Sequence, residues 1–506
     1  MTLPKLVKDY IDKLKGLREL GKDPFKIKKF DRTANADEIV KKFSNLNPGD
    51  ETDFNVRIAG RLMSKRKHGG VIFADLKDSS GRIQLVFRKD FTNEFKELKL
   101  VERGDILGVD GFVIKTRRGE VSVLVKEWTV LSKILRPLPD KWHGLEDIET
   151  RYRQRYLDFI MNEESRETFF LINKVIHLIR NYLNDNGFIE VYTPILQPVY
   201  GGAFARPFET YHHFLEEKMY LRIAPELYLK RLLVGGFEKV YEFAPCFRNE
   251  DVDPLHNPEF IQLEFYWAYI ELSQLMDFLE KMFEEVVLKA TGKTEIEYQG
   301  KIVNFKRPWK KMRMVDAIKE FGGIDVEKMS DDELFNHAKE LGIEEERRGE
   351  IIEKLFDYYA KDKIVNPTFI THFPVDISPL AKKADGYADR MELYIAGMEV
   401  ANGFSELNNP IEQYMRFKEE EELRKRSDKK GLETMPMDKD YIRALEYAMP
   451  PASGVGIGLG RLFMILGNKR TLREVIAFPT LAKEPDFEVI PEIYPEVLEW
   501  YGRTER

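Results

Sequence analysis

One short stretch of the chain carries side chains that together could bind a nucleotide. It holds an arginine, a histidine, an aromatic ring and two carboxylates, at Arg248, Glu250, His256, Phe260 and Glu264. Arginine and histidine can bind phosphate oxygens, an aromatic ring can stack on a base, and a carboxylate can accept hydrogen bonds from amino groups. Taken singly, each residue also fits the solvated end of an ordinary hairpin. Together they suit a purine nucleoside triphosphate.

Two apolar runs rich in β-forming residues must position this group. They are Val240–Phe247 and Phe260–Tyr266, and the loop between them is too short for a crossover connection. We therefore predict an antiparallel hairpin whose strand ends and loop carry the nucleotide-binding side chains.

The composition is that of a globular protein of two or three domains. The chain has 506 residues, of which 43% are hydrophobic and 33% are charged. No apolar run approaches the ~20 residues that a helix needs to cross a bilayer. The N-terminus alternates lysines with acids, which is typical neither of a secretory signal nor of a transit peptide. We predict a cytoplasmic protein without a membrane partner.

Net charge and cysteine content narrow the function classes. The formal net charge is −7, which neither indicates nor excludes a nucleic-acid partner, because binding depends on local patches. Cys246 is the only cysteine. An internal disulfide framework and a cysteine-rich zinc site are therefore excluded.

Changes in pattern divide the chain into segments. Residues 1–48 are predicted as a helical extension with a basic excess, and residues 49–135 as a domain of short strands. Two prolines and a charged helix in 136–161 indicate a hinge. Longer helices and apolar strands in 162–506 predict a large α+β domain, in which 294–366 is a helical insertion without a recognisable motif.

The first of these domains is predicted to be a small barrel of the oligonucleotide-binding type. Five strands, with a helix between the third and the fourth, fit that fold. Arg57 belongs to a basic first strand and turn that could contact phosphates, while Phe73 could stack a base and Gln84 could read its edge. An ordinary barrel core explains Phe73 about as well.

A glycine-rich strand runs into a helix near the C-terminus, in the sequence GVGIGLGRLFMILG. A dinucleotide-binding turn is one interpretation, but that fold expects repeating βα units, and a proline-bearing tail follows instead. The alternative places Arg461 on the first turn of the helix, where it could face a phosphate.

Several of these sequences resemble the motifs of class II aminoacyl-tRNA synthetases. The segment FIEVYTPIL is predicted as a strand, and because it carries Pro194 the strand should lie at an edge or an interface. This strand resembles motif 1, FRNE followed by HNPEF resembles motif 2, and GVGIGLGR resembles motif 3. With the barrel, they resemble the subclass of the lysine, aspartate and asparagine enzymes over about residues 54–485. GGAFARPF, APELYLKR and NGFSELN resemble the lysine enzymes specifically.

The resemblance implies a role for each residue of the nucleotide site. Arg248 corresponds to the arginine that binds the α-phosphate and the substrate carboxylate, and Arg461 to the arginine over the γ-phosphate; these two are the implied catalytic residues. Glu250 corresponds to the acceptor from the adenine amine, His256 to a residue near the γ-phosphate, and Phe260 to the ring under the adenine.

The resemblance also implies a divalent metal and an anticodon site. Glu392 and Glu399 correspond to the carboxylates that hold Mg²⁺ on the triphosphate, as hard oxygen ligands should. Asn257 is placed in the ATP site together with Glu392. In the barrel, the anticodon-reading positions correspond to Arg57, Phe73, Gln84 and Glu120.

By the same resemblance, eight positions bind the amino acid lysine: Gly202, Glu226, Arg248, Glu264, Tyr266, Asn402, Phe404 and Glu406. Gly202 and Glu226 resemble the groups that hold the α-amino group. Tyr266 and Glu406 resemble the ε-ammonium site.

The charges of the remaining positions favour lysine over aspartate. A lysine site must receive a second ammonium group and therefore needs carboxylates, which Glu226, Glu264 and Glu406 supply, and no arginine or lysine accompanies Glu406 in its own motif. A substrate without that ammonium would leave buried acids unpaired. Asn402 resembles the carboxylate contact, and Phe404 a wall of the pocket.

The sequence departs from the family pattern beside the motif 3 arginine. Lysine enzymes usually carry an acidic residue there, and this chain has Gly460. Either an orienting partner for Arg461 is missing, or the backbone packs more closely at this point.

The predicted function is that of a lysine–tRNA ligase that forms lysyl-adenylate from L-lysine and ATP and transfers the lysyl group to tRNA(Lys). Motif 1 implies a homodimer. Three alternatives remain: an aspartate or asparagine enzyme of the same subclass, a paralogue that lysylates a protein, and a nucleic-acid-binding protein with an inactive synthetase fold. The barrel argues against the second, because such paralogues tend to lack it, and Arg248, Glu392, Glu399 and Arg461 argue against the third.

Overall fold

The computed structural model describes residues 3–139, 145–426, 435–484, 487 and 489–504. The chain divides into two units, Met1–Leu145 with Lys483–Arg506, and Glu146–Ala482. Residues 140–144 of the predicted hinge lie outside the described part of the chain.

The first unit contains a closed five-stranded barrel, as predicted. Two helices precede it, α1 (Leu3–Glu19) and α2 (Ala36–Lys42). The five strands are β1 (Glu51–His68), β2 (Val71–Lys77), β3 (Arg82–Arg88), β4 (Ile106–Lys115) and β5 (Val121–Ser132). They close in the order β1-β2-β3-β5-β4, with β3 and β5 parallel and the other pairs antiparallel. A 3-10 turn at Phe95–Leu100 stands where the sequence predicted a helix between the third and fourth strands.

The barrel core is built from the alternate apolar residues of each strand. Val56, Ile58, Leu85, Leu107 and Val123 are fully buried in one cluster. Strands with apolar residues at every second position bury one face and leave the other for solvent or a ligand.

The second unit contains eleven helices among the residues that the structure describes. They are α3 (Ile148–Arg153), α4 (Arg155–Met161), α5 (Glu163–Asp185), α6 (Glu226–Val234), α7 (Leu272–Thr291), α8 (Met314–Gly322), α9 (Asp331–Glu340), α10 (Arg348–Tyr359), α11 (Pro410–Arg426), α12 (Lys439–Leu445) and α13 (Leu459–Leu466).

The strands of this unit form one large sheet and two small ones. They are β6 (Ile189–Glu190), β7 (Leu196–Gln197), β8 (Glu209–His212), β9 (Glu217–Leu221), β10 (Lys239–Phe247), β11 (Glu259–Ala268), β12 (Glu295–Tyr298), β13 (Lys301–Asn304), β14 (Lys310–Arg313), β15 (Thr368–Phe373), β16 (Lys383–Ala384), β17 (Tyr387–Ile395), β18 (Met398–Ser405) and β19 (Ala452–Gly458). The large sheet has the order β14-β15-β17-β18-β19-β11-β10-β6, with β16 beside β17. Its pairs are antiparallel except β14/β15 and β10/β6, so the predicted α+β class is confirmed.

Helices cover one face of the large sheet. Val175 and Ile179 of α5, Leu279 and Phe283 of α7 and Leu462 of α13 pack into the same core cluster as the sheet. The other face carries the polar residues described below. This arrangement follows from the period-two alternation of the strands.

Three local features complete the fold. Pro194 was predicted to lie within a strand, which is wrong: it falls between β6 and β7, because proline cannot donate to a ladder of strands.

Residues 294–366 contain the strands β12–β14 as well as the helices α8–α10. The described part of the C-terminal tail carries α14 (Ile490–Ile493) and α15 (Glu496–Thr504). Among the described residues, none of the helices combines the length and the hydropathy needed to span a membrane.

Candidate active site

A cavity of about 720 Å³ lies on the uncovered face of the large sheet. The hairpin β10/β11 forms as predicted, and alternate residues of β11, β17 and β18 line the cavity: Phe260, Glu264, Tyr266, Glu392, Asn402 and Phe404. The residues between them, such as Leu263 and Leu393, belong to the core cluster. The alternation therefore gathers side chains that lie far apart in the sequence.

The glycines of β19 give this cavity its depth. β19 lies between antiparallel neighbours, β18 and β11, and not in a repeating βα unit, so the dinucleotide interpretation is wrong. A Cβ atom at Gly456 would lie 2.6 Å from Nε2 of Gln262, and one at Gly454 would collide with the ring of Tyr266 and with Glu406. Side chains at these positions would fill the space that the neighbouring strands leave open.

Arg248 follows directly after β10 and is held by its own hairpin. Its backbone N–H donates to the carbonyl of Pro258 at 2.9 Å, and its guanidinium lies 5.1 Å from the ring centre of Phe260. The Nε atom is buried and makes no hydrogen bond. A buried arginine donor without a partner, at the wall of a cavity, is suited to an anionic ligand.

Arg461 and His256 come together from different elements. Arg461 lies on the first turn of α13, as predicted, and donates from Nη1 to the carbonyl of Glu399 at 2.7 Å. Its Nη2 lies 3.3 Å from Nε2 of His256, whose Nδ1 lies 2.8 Å from a carboxylate oxygen of Asp253. This geometry assigns the imidazole hydrogen to Nδ1, because Nε2 accepts from the guanidinium.

Close backbone packing explains Gly460. A Cβ atom at this position would lie 2.6 Å from Cδ2 of Leu472. Of the two interpretations drawn from the sequence, the structure supports the second, and Arg461 is instead oriented by Glu399 and His256.

The two predicted metal ligands, Glu392 and Glu399, line the cavity near each other, on the side of Arg461. Glu392 accepts from Arg390 at 2.5 Å and from the hydroxyl of Tyr394 at 2.7 Å. Burial raises the pKa of Glu392 to about 8, helped by the charge of Glu399 and opposed by Arg390. Two neighbouring acids whose ionisation is opposed by burial and by each other would be stabilised in the charged form by a divalent cation. Among the described residues no cluster of three or more His, Cys, Asp or Glu could hold a metal, so further oxygen ligands would have to come from phosphates and water.

The end of the cavity lined by Glu226, Glu264 and Tyr266 is acidic. The hydroxyl of Tyr266 donates to Glu264 at 2.9 Å, and Nε2 of Gln262 donates to the other oxygen of Glu264 at 2.5 Å. Burial raises the pKa of Glu264 well above its ordinary range, and the nearby charge of Glu226 adds to this. Such an acid gains most from a cationic ligand.

A buried lysine compensates part of this acidity. Nζ of Lys230 lies 2.5 Å from Glu226 and 2.5 Å from Glu406, and all three residues are buried. Its own motif contains no cation beside Glu406, as the sequence showed, but α6 supplies one from elsewhere in the chain. Burial raises the pKa of Glu406 to about 8 although Lys230 opposes the shift. Glu406 lies next to Gly454 and Tyr266, both of which line the cavity.

The other predicted residues of this site occupy supporting positions. Gly202 has a φ of 86°, and a Cβ atom there would lie 2.8 Å from Cβ of Glu226. Glu250 accepts the backbone N–H of Arg206 at 3.3 Å. Both polar groups of Asn257 bind the main chain, at the carbonyl of Glu259 and the N–H of Thr480, so this side chain fixes the loop.

Sequence reasoning missed three contributions to the cavity. Helix α10 of the predicted insertion lines it with Glu350, Glu353 and Lys354. Arg390 binds Glu392, and the i,i+2 spacing of the two on one strand could have indicated it. The i,i+4 spacing of Glu226 and Lys230 indicates one of the two bonds of Lys230, whereas the bond to Glu406 depends on the tertiary fold.

In the barrel, Phe73 and Gln84 lie on the adjoining strands β2 and β3, and Glu120 lies directly before β5. Phe73 pairs with Val86 across β2 and β3, and Gln84 accepts from the hydroxyl of Ser122 at 3.1 Å, two residues after Glu120. Arg57 lies on the β1/β4 pair instead.

Arg57 is engaged by neighbouring groups of its own unit. Its guanidinium lies 4.8 Å from the ring of Phe30, and its Nε lies 3.7 Å from Asp110. The structure therefore does not group Arg57 with the other three.

Comparisons with protein families agree with this architecture. A family model described as tRNA synthetases class II (D, K and N) matches residues 147–482, and a model described as OB-fold nucleic acid binding domain matches residues 56–131. The chain belongs to the class II aminoacyl-tRNA synthetases of that group.

Within the class, the chain is similar to lysine–tRNA ligases along nearly its whole length. It is 47% identical over 488 residues to the lysine–tRNA ligase of Carboxydothermus hydrogenoformans, covering 95% of this chain and 98% of that protein. It is 47% identical to lysine–tRNA ligase 2 of Methanosarcina mazei, with 93% of each chain covered, and 48% identical to the lysine–tRNA ligase of Thermosipho melanesiensis, with 91% and 92% covered. The predicted resemblance to the lysine enzymes is thereby confirmed.

Proposed function

We propose that this chain is a lysine–tRNA ligase that converts ATP, L-lysine and tRNA(Lys) into L-lysyl-tRNA(Lys), AMP and diphosphate. The observation that carries the proposal is a single cavity with a phosphate-binding end and an acidic end. Arg248 and Arg461 line the first, and Glu226 and Glu264 line the second. ATP and lysine need these two environments side by side.

In the first step, the carboxylate of lysine attacks the α-phosphorus of ATP in line, and diphosphate leaves. Arg248 is placed to bind both the α-phosphate and the attacking carboxylate, while Arg461 and His256 bind the far end of the triphosphate. Phe260 stacks under the adenine, and Glu250 accepts from its amino group. No general base is required, because positioning and cationic stabilisation of the phosphoryl group can carry this transfer.

At the acidic end, Glu226 and Gly202 hold the α-ammonium group, and Tyr266 with Glu406 bind the ε-ammonium group. Asn402 contacts the carboxylate, and Phe404 forms a wall. The paired acids favour lysine over uncharged amino acids, since an isostere without the ammonium would leave them unpaired.

We assign Mg²⁺ to Glu392 and Glu399. The raised pKa of Glu392 and the oxygen chemistry of the pair support this assignment. When bound, the ion would neutralise charge on the β- and γ-phosphates. Arg390 and Tyr394 orient the Glu392 carboxylate for that purpose.

In the second step, the 3′-terminal hydroxyl of tRNA(Lys) attacks the lysyl carbonyl, and AMP leaves. We assign anticodon reading to the barrel, through Phe73, Gln84 and Glu120, with Arg57 as a further contact. We therefore propose four segments: an N-terminal extension at 1–48, an anticodon-binding domain at 49–135, a hinge at 136–161 and a catalytic domain at 162–506.

We further propose a cytoplasmic homodimer. Large apolar side chains lie exposed around the motif 1 segment and the small β7-β9-β8 sheet, with Tyr192 85% exposed and Phe214 89% exposed. Large exposed apolar side chains, where they form a patch, are typical of a protein interface. Light scattering in dilute solution should give twice the chain mass of 59.4 kDa, and a monomeric mass would refute the dimer.

Charging of a tRNA(Lys) transcript with labelled lysine, ATP and Mg²⁺ tests the proposed function as a whole. We expect acid-precipitable lysine that depends on all three substrates. Failure to charge any tRNA, with no turnover of ATP, would favour the inactive-paralogue alternative.

A further inference from the structure

Lys230 is a fully buried cation between two acids of the proposed lysine site. It lies on α6, and its Nζ atom is 2.5 Å from Oε1 of Glu226 and 2.5 Å from Oε2 of Glu406. A buried ammonium group is unfavourable unless it is paired on most sides. Burial alone would lower the pKa of Lys230, but the two carboxylates raise this pKa above its ordinary value. Lys230 therefore remains charged.

Each carboxylate keeps its second oxygen on the side away from Lys230. Oε2 of Glu226 lies 3.5 Å from the point where a Cβ atom of residue 202 would stand, and Oε1 of Glu406 faces the corresponding point of residue 454, beside Tyr266. Gly202 and Gly454 both line the cavity. Each acid therefore has one oxygen on the protein cation and one on the substrate side.

We propose that Lys230 is a positioning residue for lysine recognition: it occupies one oxygen of Glu226 and one of Glu406, and so directs the other two, together with Glu264, at the two ammonium groups of the substrate. The inference rests on the proposed lysine site. In the empty site, three carboxyl groups share one ammonium group; in the loaded site, they share three. With all three acids ionised, the charges balance only when a diamine is bound, which disfavours an amino acid with a neutral side chain.

The groups around this cluster make Lys230 its main internal cation. The titratable and charged side chains that interact with the three residues from neighbouring elements are Glu264 and Tyr266 on β11, Lys382 before β16, Arg390 on β17 and Tyr441 on α12. The ring of Phe404 covers the ammonium group at 5.0 Å. Burial raises the pKa of Glu226 and of Glu406 even with Lys230 present. Without it, the pKa of both acids would rise further, and each would release its proton less readily to pair with an ammonium group.

The test is Lys230→Met, which keeps the volume and removes the charge. The assay is lysine-dependent ATP–pyrophosphate exchange at pH 7. The KM for lysine should rise about tenfold or more, because a rise of one unit in the pKa of either acid lowers its ionised fraction by that factor. The KM for ATP should stay near the wild-type value. The lysine deficit should shrink as the pH rises, because the acids then ionise without help.

Lys133→Met is the matched control. Lys133 is also fully buried and pairs with Asp105 at 2.8 Å, but it belongs to the barrel unit. Its loss should lower the melting temperature and leave the KM for lysine unchanged. A Lys230→Met protein that folds, judged by a normal ATP-induced rise in melting temperature, and keeps the wild-type KM and pH profile for lysine would overturn the inference.

If Lys230→Met does not fold, the inference is tested with Lys230→Ala instead. This variant is prepared and assayed in the presence of propylammonium, which can occupy the space of the missing side chain. Recovery of lysine-dependent exchange with propylammonium but not with 1-propanol supports the role of the charge. If both compounds restore exchange equally, or if neither restores it, the inference is overturned. Wild-type exchange with lysine is measured in parallel, so a failure of the proposed function itself appears as a wild-type protein without lysine-dependent activity.

Discussion

Nη2 of Arg461 lies 3.3 Å from Nε2 of His256, and this contact joins the helix after β19 to the loop of the β10/β11 hairpin. Motif 2 and motif 3, which are far apart in the sequence, therefore meet at one end of the cavity. Arg248 stands at the start of the same loop with an unsatisfied buried Nε. A triphosphate that lies between Arg248 and Arg461 would be held at both ends.

Loss of Arg248 should strongly slow adenylate formation. For Arg248→Ala we expect lysine-dependent ATP–pyrophosphate exchange to fall by about 10²–10³-fold, by analogy with removal of one donor to a developing negative charge. Arg307→Ala, which removes an arginine paired with Glu284 at the surface of the same unit, should exchange normally. Near-normal exchange by Arg248→Ala would contradict the role given to the hairpin.

Gly454→Ala should damage lysine binding more than ATP binding. The added Cβ atom would collide with the ring of Tyr266 and with Glu406, and overpacking of this kind costs about 1–3 kcal/mol. The KM for lysine should therefore rise about tenfold to a hundredfold. Gly81→Ala in the barrel is the control, because its Cβ atom would lie 3.7 Å from its nearest neighbour. An unchanged KM for lysine in Gly454→Ala would show that the ε-ammonium group binds elsewhere.

Lysine binding should tighten as the pH rises toward 8. Burial raises the pKa of Glu406 to about 8, so below that pH the acid is mostly protonated and cannot pair with an ammonium group. Calorimetry between pH 6 and pH 8 should show the Kd for lysine falling by up to about tenfold per pH unit, with release of a proton on binding. Glu406→Gln should bind lysine weakly and without this slope. A flat Kd in the wild type would mean that Glu406 is already ionised.

Phe73→Ala distinguishes a base-stacking residue from a core residue. If Phe73 stacks on an anticodon base, the KM for tRNA should rise by about tenfold to a hundredfold, since stacking contributes about 1–3 kcal/mol per base. Amino-acid activation should not change. Phe91→Ala removes a ring of the same small cluster and should affect stability alone. Equal effects of the two substitutions on the KM for tRNA would indicate that Phe73 only packs.

The sequence predicted those parts of the site that depend on local pattern. Two β-rich runs around a short loop required the hairpin, and the strand-to-helix turn after β19 placed Arg461 on the first turn of α13. The period-two alternation then put Glu264 and Tyr266 on one face of β11. These features could be predicted because the sequence pattern of each element alone determines its secondary structure and the face on which its side chains lie.

The remaining features depend on tertiary packing. The bond between Lys230 and Glu406 joins α6 to the end of β18, and no local pattern links these two elements. Gly460 could not be interpreted until Leu472 was seen against it. Pro194 was expected in a strand because its neighbours favour one, but the missing N–H outweighed their propensity.

The central claim is that the acidic end of the cavity selects lysine. Single amino acids compared in ATP–pyrophosphate exchange test it most directly, with lysine, aspartate, asparagine, ornithine and norleucine at equal concentration. We predict exchange with lysine, and rates lower by about 10²-fold or more with norleucine, which would leave buried acids unpaired. Exchange driven by aspartate or asparagine, with none from lysine, would contradict the account.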